Sequence, residues 1–341
     1  MGKLTAIVHW MRAHRLQAVM LAFTLSFYSV LLVTARKGPE ERAADRAQRS
    51  AFREELREKE RLFSENLGSR PDLARAAGFA LALVLAAGLT MDMAIGVRKL
   101  TRRPLLEAQE PPHKAGWGPV EVVNLFVFLF FFEAVILAVQ SFVQAEESFL
   151  LLNTFARDAA AVLMLFYIVR VRYRQPLAAL GLSLRSWAGN VLKGLAGYLA
   201  LIPALFVMLV LVAAAARWFG HEPPPQPVVE IYLQESRRPH LALITLFVAV
   251  AGPMIEEVFF RGFTYGAFRG RFGARRAMIY SAALFAALHM DPVAVLPVFV
   301  LGLFLAYLYE KTGTLAAPMG VHVTHNLIMV FFTLTFKSLS A

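Results

Sequence analysis

Apolar runs of about 20 residues recur along nearly the whole chain, and they restrict its fold more than any other feature. A helix needs roughly 20 such residues to cross a bilayer. The 341 residues are 58% hydrophobic and have a mean hydropathy of +0.55. The candidate spans are 18–34, 74–96, 119–142, 148–169, 190–216, 241–265, 276–290, 293–309 and 316–336. We therefore predict an all-α, polytopic transmembrane bundle of eight to nine spans.

The net charge of +11 does not call for a nucleic-acid partner. Basic residues such as Arg98, Lys99, Arg269 and Arg271 follow apolar runs, where the positive-inside rule accounts for them. The lipid bilayer is the expected partner, and a bacterial cytoplasmic membrane is the expected location. The chain has no cysteine, which excludes disulfides, thiolate metal ligands and a cysteine nucleophile.

Residues 35–73 form one long charged segment that is dense in Arg and Glu. Within it, Phe52, Leu56, Phe63 and Leu67 fall at helical spacing, which predicts an amphipathic helix. Such a helix lies on a membrane surface, although a solvated helical linker fits the same pattern.

The proline-rich stretch at 221–227 is expected to be a loop, because proline lacks a backbone donor. Ionisable residues inside apolar runs lie almost entirely after it. The functional half is therefore expected to be C-terminal. The regions we predict are an N-terminal transmembrane region at 1–185 and a functional region at 186–341. Two later runs are uncertain as spans, since 276–290 is short and the proline in 293–309 can break the run or make it re-entrant.

Two adjacent carboxylates, Glu256 and Glu257, lie within the apolar run that begins near residue 241. A carboxylate at the centre of a membrane helix costs about 2.5–3.5 kcal/mol on insertion scales, so the pair needs an explanation. Glu257 and Arg261 are four residues apart and share a helix face, whereas Glu256 points about 100° away. Pro253, one turn earlier, is expected to kink the helix. We predict an ion pair and one carboxylate facing a cavity, or else a cluster that holds helices together.

Two later apolar runs carry further polar residues. Phe285 and His289 are four apart near the end of one run, and His322 and Asn326 are four apart in the last. His325 lies on the neighbouring face. Each histidine alone can be an interhelical contact. Placing polar side chains in an apolar run costs free energy, and three runs carry them. This repetition favours one shared interior site.

The motifs EExxxR, FxxxH and HxxxN, in this order, resemble those of the CPBP family. It includes type II CAAX prenyl endopeptidases and the bacteriocin-processing, lysostaphin-resistance-protein-like intramembrane proteases. Residues 260–262 and 309–318 extend the match, and Leu180-Gly-Leu matches more weakly. The resemblance is strong over 240–335 and loose over 175–240.

The resemblance implies an endopeptidase for a membrane-associated protein or peptide, prenylated CAAX proteins being one class. It implies that Glu256 and His289 activate water and that His322 and Asn326 stabilise the oxyanion. Four residues have supporting positions, namely Glu257, Arg261, Phe285 and His325. No cofactor is favoured. The alternative is a zinc ion held by Glu256, His289 and His322.

Two other classes of protein stay open: a non-catalytic membrane scaffold and an ion-coupled transporter, which also carries buried Glu and His. No interrupted helix pair is repeated in two halves, which weighs against the transporter. The depths also conflict. Counting along the runs places Glu256 mid-span, His289 near an outer end and His322 nearer the inner end.

Overall fold

A computed structural model describes most of the chain, and every regular element among the described residues is a helix. The described residues are 15–34, 38–101, 114–143, 148–183, 186–220, 227–291 and 293–341. The α-helices are α1 Arg15–Thr34, α2 Pro39–Gly68, α3 Pro71–Leu100, α4 Pro119–Val143, α5 Ser148–Phe166, α6 Trp187–Trp218, α7 Pro227–Gln234, α8 Arg238–Leu246, α9 Gly252–Glu257, α10 Gly266–Phe272, α11 Ala274–Leu288, α12 Val295–Thr312 and α13 Ala316–Leu339. The π-helical segments are Tyr167–Arg172, Phe247–Ala251 and Val258–Tyr265, and Leu177–Leu180 is a 3₁₀ turn.

Six helical stretches in the described parts of the chain are long and apolar enough to cross a membrane. They are Pro71–Leu100, Pro119–Gln140, Trp187–Trp218, Arg238–Phe272, Val295–Thr312 and Ala316–Leu339. The predicted all-α, multi-pass membrane fold is therefore confirmed, whereas the count of eight to nine spans is not. The apolar helix Leu16–Leu32 is shorter than these six, and the 276–290 run lies in α11, which has 15 residues.

The chain packs as two compact units that are not continuous in sequence. The first contains the described parts of 1–51 and 116–176, and the second those of 52–115 and 177–341. The boundary expected at residue 185 separates continuous regions and stays a prediction. Of the loop expected at 221–227, residues 221–226 lie outside the described residues. Its last residue, Pro227, is the first residue of α7.

Aromatic rings join α1 to α4 in the first unit. The ring centroids of Phe23 and Phe131 are 5.3 Å apart, and those of Tyr28 and Phe130 are 6.4 Å apart, both edge to face. At the start of α4, Glu121 accepts a hydrogen bond of 2.8 Å from the hydroxyl of Tyr173. The first unit is therefore held by ring contacts between α1 and α4 and by one hydrogen bond to a carboxylate at the start of α4.

In the second unit, α6 and α13 run parallel. Asn190 contacts Thr314 just before α13, and Tyr198, two turns later, contacts His325 of α13. Between these contacts, a Cβ on Gly194 would lie 2.8 Å from the carbonyl oxygen of Ala317. Only glycine permits this approach, as is typical of packed membrane helices.

The charged segment forms α2, which confirms the predicted helix over Pro39–Gly68. Residues 35–37 lie outside the described part, and the last residues of the segment, from Pro71, begin α3. Its predicted apolar positions, Phe52, Leu56, Phe63 and Leu67, are all half-buried. Phe63 packs on Phe336 with 5.3 Å between ring centroids, and Asn66 donates to the carbonyl oxygen of Leu339 at 2.8 Å. Part of this face therefore packs against the end of α13.

The helix that carries the two carboxylates is continuous from Arg238 to Phe272 but contains two π-helical segments. The π-helical segments at Phe247–Ala251 and Val258–Tyr265 flank α9. The amide of Gly252 reaches back five residues to the carbonyl of Phe247, the π pattern. Pro253 follows directly, in the first turn of α9, where a missing amide hydrogen costs little.

The two helices after the carboxylate helix form a short hairpin. α11 has 15 residues and α12 has 18. Pro297 lies in the first turn of α12, where a missing amide hydrogen costs little, and the predicted break is not observed. In the connecting turn, the Asp291 carboxylate accepts the amide hydrogens of Val293 and Ala294 at 2.9 and 3.1 Å. Met290 has φ +49°, an uncommon conformation for this residue type.

Candidate active site

Glu257 and Arg261 form the buried ion pair that their spacing predicts. Nη1 of Arg261 donates to Oε1 of Glu257 at 2.8 Å, and their side chains are 1% and 0% exposed. Nη2 of Arg261 donates to the carbonyl oxygen of Gly302 on α12 at 3.3 Å. Removing one partner from such a pair costs about 3–5 kcal/mol, because a buried charge is left uncompensated. The pair therefore fixes the carboxylate helix against α12.

His322 of α13 lies between the two carboxylates. Its Nδ1 is 2.8 Å from Oε1 of Glu257, and its Nε2 is 3.8 Å from Oε2 of Glu256. The side chain of Glu256 is 40% exposed, in contrast to the fully buried Glu257. The two neighbours thus have different surroundings, since Glu257 is enclosed by Arg261 and His322 and Glu256 is open.

Phe285 connects the three motifs through its ring. The ring is 5.0 Å from that of Phe260, 4.6 Å from that of His289 and 5.7 Å from that of His322, in each case edge to face. Its carbonyl oxygen accepts a hydrogen bond of 2.8 Å from Nδ1 of His289. His289 therefore joins the cluster through Phe285, and its ring lies at the exposed end of α11.

Asn326 and His325 extend the site along α13 in different directions. The Asn326 amide donates to the carbonyl oxygen of Val248 at 2.9 Å, in the first π-helical segment of the carboxylate helix. His325 faces α6 instead, with its Nδ1 2.7 Å from the Tyr198 hydroxyl. Sequence reasoning missed Tyr198, although a tyrosine in the middle of an apolar run was the available signal.

The short α11 removes part of the expected conflict in depth. Glu256 lies 16 residues before Phe272, where the carboxylate helix ends, and His289 lies 15 residues after the start of α11 at Ala274. At 1.5 Å per residue both lie about 22–24 Å from that end of the bundle. His322 reaches the same region because Phe285 and Glu257 both contact it.

The weakly matching Leu180-Gly-Leu element packs directly behind the site. A Cβ on Gly262 would lie 2.8 Å from the carbonyl oxygen of Leu180, and one on Gly181 would lie 2.4 Å from the ring of Tyr309. Gly181 has φ +79°, and its carbonyl oxygen accepts the amide hydrogen of Leu315 at 2.9 Å. Three stretches quoted for the resemblance therefore meet at one close contact.

A second polar cluster, which sequence reasoning did not single out, holds the far end of the same helix. The Tyr265 hydroxyl donates to Oε2 of Glu310 at 2.6 Å, and Arg269 donates to both oxygens of that carboxylate at 2.7 and 3.0 Å. Bidentate pairing fixes orientation as well as distance. The carboxylate helix is thus tied to α12 on both sides of Gly262.

Metal binding was the alternative expected for Glu256, His289 and His322. In the part of the chain that the structure describes, no three His, Asp or Glu side chains form a group that could hold a metal ion. Glu256 and His322 are close enough to share one, and His289 points its Nδ1 at a backbone carbonyl.

The three motifs thus meet at one site, and comparison with known proteins gives the same region. Residues 238–328 match the model of the type II CAAX prenyl endopeptidase Rce1-like family. Residues 238–328 form an Rce1-like domain. The resemblance drawn from the motifs is confirmed for this region, which contains Glu256, His289, His322 and Asn326.

One curated relative aligns with 92 residues of the chain. The protein described as "Putative membrane peptidase YdiL", from Bacillus subtilis (strain 168), is 27% identical over 92 residues. The aligned residues are 27% of this chain and 38% of that relative, so the chain spans less than half of the relative's length. No solved structure matches the chain.

Proposed function

We propose that this protein is an intramembrane endopeptidase whose activity belongs to the region 186–341, with the Rce1-like domain as its centre. The observation that carries the proposal is that two adjacent carboxylates have different surroundings. Glu257 is closed off by Arg261 and His322, whereas Glu256 is 40% exposed next to His322. A general base must reach a water molecule and its substrate, and only Glu256 has that freedom.

His289 supports the same reaction as the partner of Glu256. A backbone carbonyl only accepts hydrogen bonds, so the proton of the neutral His289 ring lies on Nδ1, which contacts the Phe285 carbonyl. Its Nε2 then carries a lone pair and can accept a hydrogen bond from water. In the proposed reaction, Glu256 and His289 orient this water and Glu256 takes its proton.

The remaining motif residues suit stabilisation of the tetrahedral intermediate. The water oxygen bonds to the peptide carbonyl carbon, and the carbonyl π electrons move to oxygen. Asn326 has two amide hydrogens, of which one is held by Val248 and the other can donate to that oxygen. His322 donates the second hydrogen bond. The C–N bond then breaks, and the proton held by Glu256 passes to the leaving amine.

The proposed substrate is a membrane-associated protein or peptide. The family description names CAAX prenyl endopeptidases, so a prenylated C-terminal peptide is the first candidate to test. A multi-pass protein of a bacterial cytoplasmic membrane would meet such a substrate at or within the bilayer. Glu256, His322 and Asn326 lie on apolar helices long enough to span a membrane, which is consistent with a substrate that is itself lipid-bound.

The decisive experiment uses the purified full-length protein in detergent with a panel of prenylated and membrane-anchored peptides. Glu256→Gln is expected to lower kcat about 10²–10⁴-fold, the usual contribution of a general base. Glu230→Gln on α7 removes a carboxylate outside the site and is the matched control, expected to cleave at the wild-type rate. Cleavage by Glu256→Gln at the wild-type rate would falsify the proposal.

A zinc-dependent version of the same protease is the alternative, with Glu256, His289 and His322 as ligands. It requires these three side chains to come together around one ion, whereas the metal-free scheme requires Glu256 and His289 to reach one water molecule. Metal content measured in fully active purified protein separates the two. One zinc per active molecule, lost together with activity in His289→Asn, would overturn the metal-free scheme.

A further inference from the structure

The proton on the His322 ring has only one position compatible with its contact to Glu257. Nδ1 of His322 lies 2.8 Å from Oε1 of Glu257. A carboxylate oxygen accepts hydrogen bonds and cannot donate them. The short contact therefore requires a hydrogen on Nδ1. With the proton on Nε2 instead, the Nδ1 lone pair would face a negatively charged oxygen in a buried site, which is repulsive.

Glu257 is itself held so that it cannot turn away from this contact. The same oxygen, Oε1, accepts the hydrogen bond of 2.8 Å from Arg261, and the Glu257 side chain is 0% exposed. The guanidinium of Arg261 is anchored in turn by the Gly302 carbonyl and lies 4.4 Å above the ring of Phe285. The carboxylate is thus a fixed acceptor, not a mobile counterion.

The ring of His322 is also fixed on its other side. Phe285 contacts it edge to face with an interplanar angle of 84°, and the His322 side chain is 4% exposed. With Nδ1 bound to Glu257, Nε2 is the atom that faces Glu256, at 3.8 Å from Oε2. The ring cannot flip without losing the Glu257 hydrogen bond.

We propose that Glu257 is a positioning residue that keeps a proton on Nδ1 of His322 and thereby directs Nε2 towards Glu256. A carboxylate that receives the second N–H of a catalytic imidazole fixes its tautomer and orientation in the same way. This role of Glu257 deepens the function proposed above and rests on it for its catalytic meaning. The positioning itself is a property of the resting protein.

The proposal restricts when His322 can stabilise an oxyanion. In the neutral ring, Nε2 has a lone pair and accepts a hydrogen bond, so it cannot donate to the tetrahedral oxygen. Only the imidazolium, with hydrogens on both nitrogens, donates from Nε2. His322 therefore stabilises the oxyanion only as the imidazolium, whose Nε2 proton comes from solvent before the attack. The proton that Glu256 removes from water is then still the one passed to the leaving amine.

The test reads the tautomer directly in the full-length protein with ¹⁵N-labelled histidine, because protonated and bare ring nitrogens differ widely in ¹⁵N chemical shift. The His322→Asn variant assigns the signal. We expect Nδ1 of His322 to carry a proton in the wild type, whether or not Nε2 also does. A bare Nδ1 with a proton on Nε2 overturns the proposal. The result does not depend on substrate, so it is separate from the failure of the endopeptidase assignment.

Glu257→Gln tests whether Glu257 is the cause. The neutral amide is a weaker acceptor and can also donate, so a population with the proton on Nε2 is expected to appear. Full retention of the Nδ1 proton in this variant would mean that a group other than Glu257 holds the proton there, and it would reject the proposal. Tyr198→Phe is the control, since the hydroxyl that it removes contacts His325 and not His322. In peptide cleavage, Glu257→Gln is expected to lower kcat about 10–100-fold with KM little changed.

Discussion

The guanidinium of Arg261 lies over the ring of Phe285, with 4.4 Å between Cζ and the ring centroid. Arg261 belongs to the first motif and Phe285 to the second, so this contact joins two segments of the chain directly. A cation over an aromatic face contributes about 2 kcal/mol or more when both are desolvated. The aromatic residue of FxxxH thus has a physical role of its own, apart from the histidine that follows it.

Phe285→Leu removes that ring face while keeping an apolar side chain. We expect the free energy of unfolding to fall by about 2 kcal/mol, the size of a desolvated cation–π contact. Titration with a denaturing detergent in mixed micelles measures it. Phe331→Leu changes the same residue type on a surface that is 64% exposed, and it should differ little from the wild type. Equal losses in both variants would remove Phe285 from its proposed position between the motifs.

Gly262→Ala tests the close approach behind the site. Its Cβ would lie 2.8 Å from the Leu180 carbonyl oxygen and 3.3 Å from the Leu180 Cβ, so the backbone must shift. Overpacking of this kind costs about 1–3 kcal/mol.

The control for this change is two turns further along the same helix. A Cβ on Gly270 meets nothing within 4 Å, so Gly270→Ala should raise stability by about 0.4–1 kcal/mol. Thermal unfolding followed by intrinsic fluorescence compares the two. A Gly262→Ala protein as stable as Gly270→Ala would contradict the packing described here.

Arg261→Gln leaves Glu257 buried beside His322 without its guanidinium. The expected loss is about 3–5 kcal/mol, the cost of removing one member of a buried ion pair. The yield of folded protein and its unfolding midpoint both report this change. Arg275→Gln removes an exposed arginine from the start of α11 and should leave both unchanged. A stable Arg261→Gln protein would contradict the buried ion pair described here.

Acid should weaken the junction between α7 and α8. Hydrogen bonds from the Arg237 side chain and backbone amide hold the pKa of Glu235 at about 2. A lowered pKa means that the carboxylate stabilises the fold fully above its unfolded value of about 4.3, and that this contribution is lost as the pH falls towards 2. The difference in Tm between wild type and Arg237→Gln should be constant from pH 8 to 5 and shrink below pH 4.

Arg238→Gln is the matched change for the acid experiment, because the neighbouring arginine is exposed at the start of α8. Its Tm difference from wild type should not vary over the same pH range. If the Arg237→Gln difference is the same at pH 3 as at pH 7, the Glu235 carboxylate does not have the lowered pKa.

Helical periodicity was enough to predict some of this site and not the rest. The Glu257–Arg261 pair follows from a spacing of four residues. The apolar face of α2 follows from apolar residues that recur at helical spacing. The contact of His322 with Glu257 spans 65 residues, and no local pattern specifies it. The two π-helical segments also shift the faces of the carboxylate helix, so positions that an ideal helix would place together do not all meet.

The count of spans was less predictable because hydropathy measures polarity and not the length of the helix that results. The 276–290 run is apolar, yet it ends as a helix at Leu288 because His289, Met290 and Asp291 form a turn. The Asp291 side chain then accepts the amide hydrogens of the two residues just before α12. Counting apolar residues alone assigns a full crossing to a segment that turns back earlier.

The length of α11 also bears on the lipid around it. Fifteen residues of α-helix extend about 22 Å, whereas the hydrocarbon core of a bilayer is about 30 Å thick. A hydrophobic segment shorter than the core is matched by local thinning of the membrane. Such thinning would bring headgroups and interfacial water closer to His289, where the proposed hydrolysis consumes a water molecule.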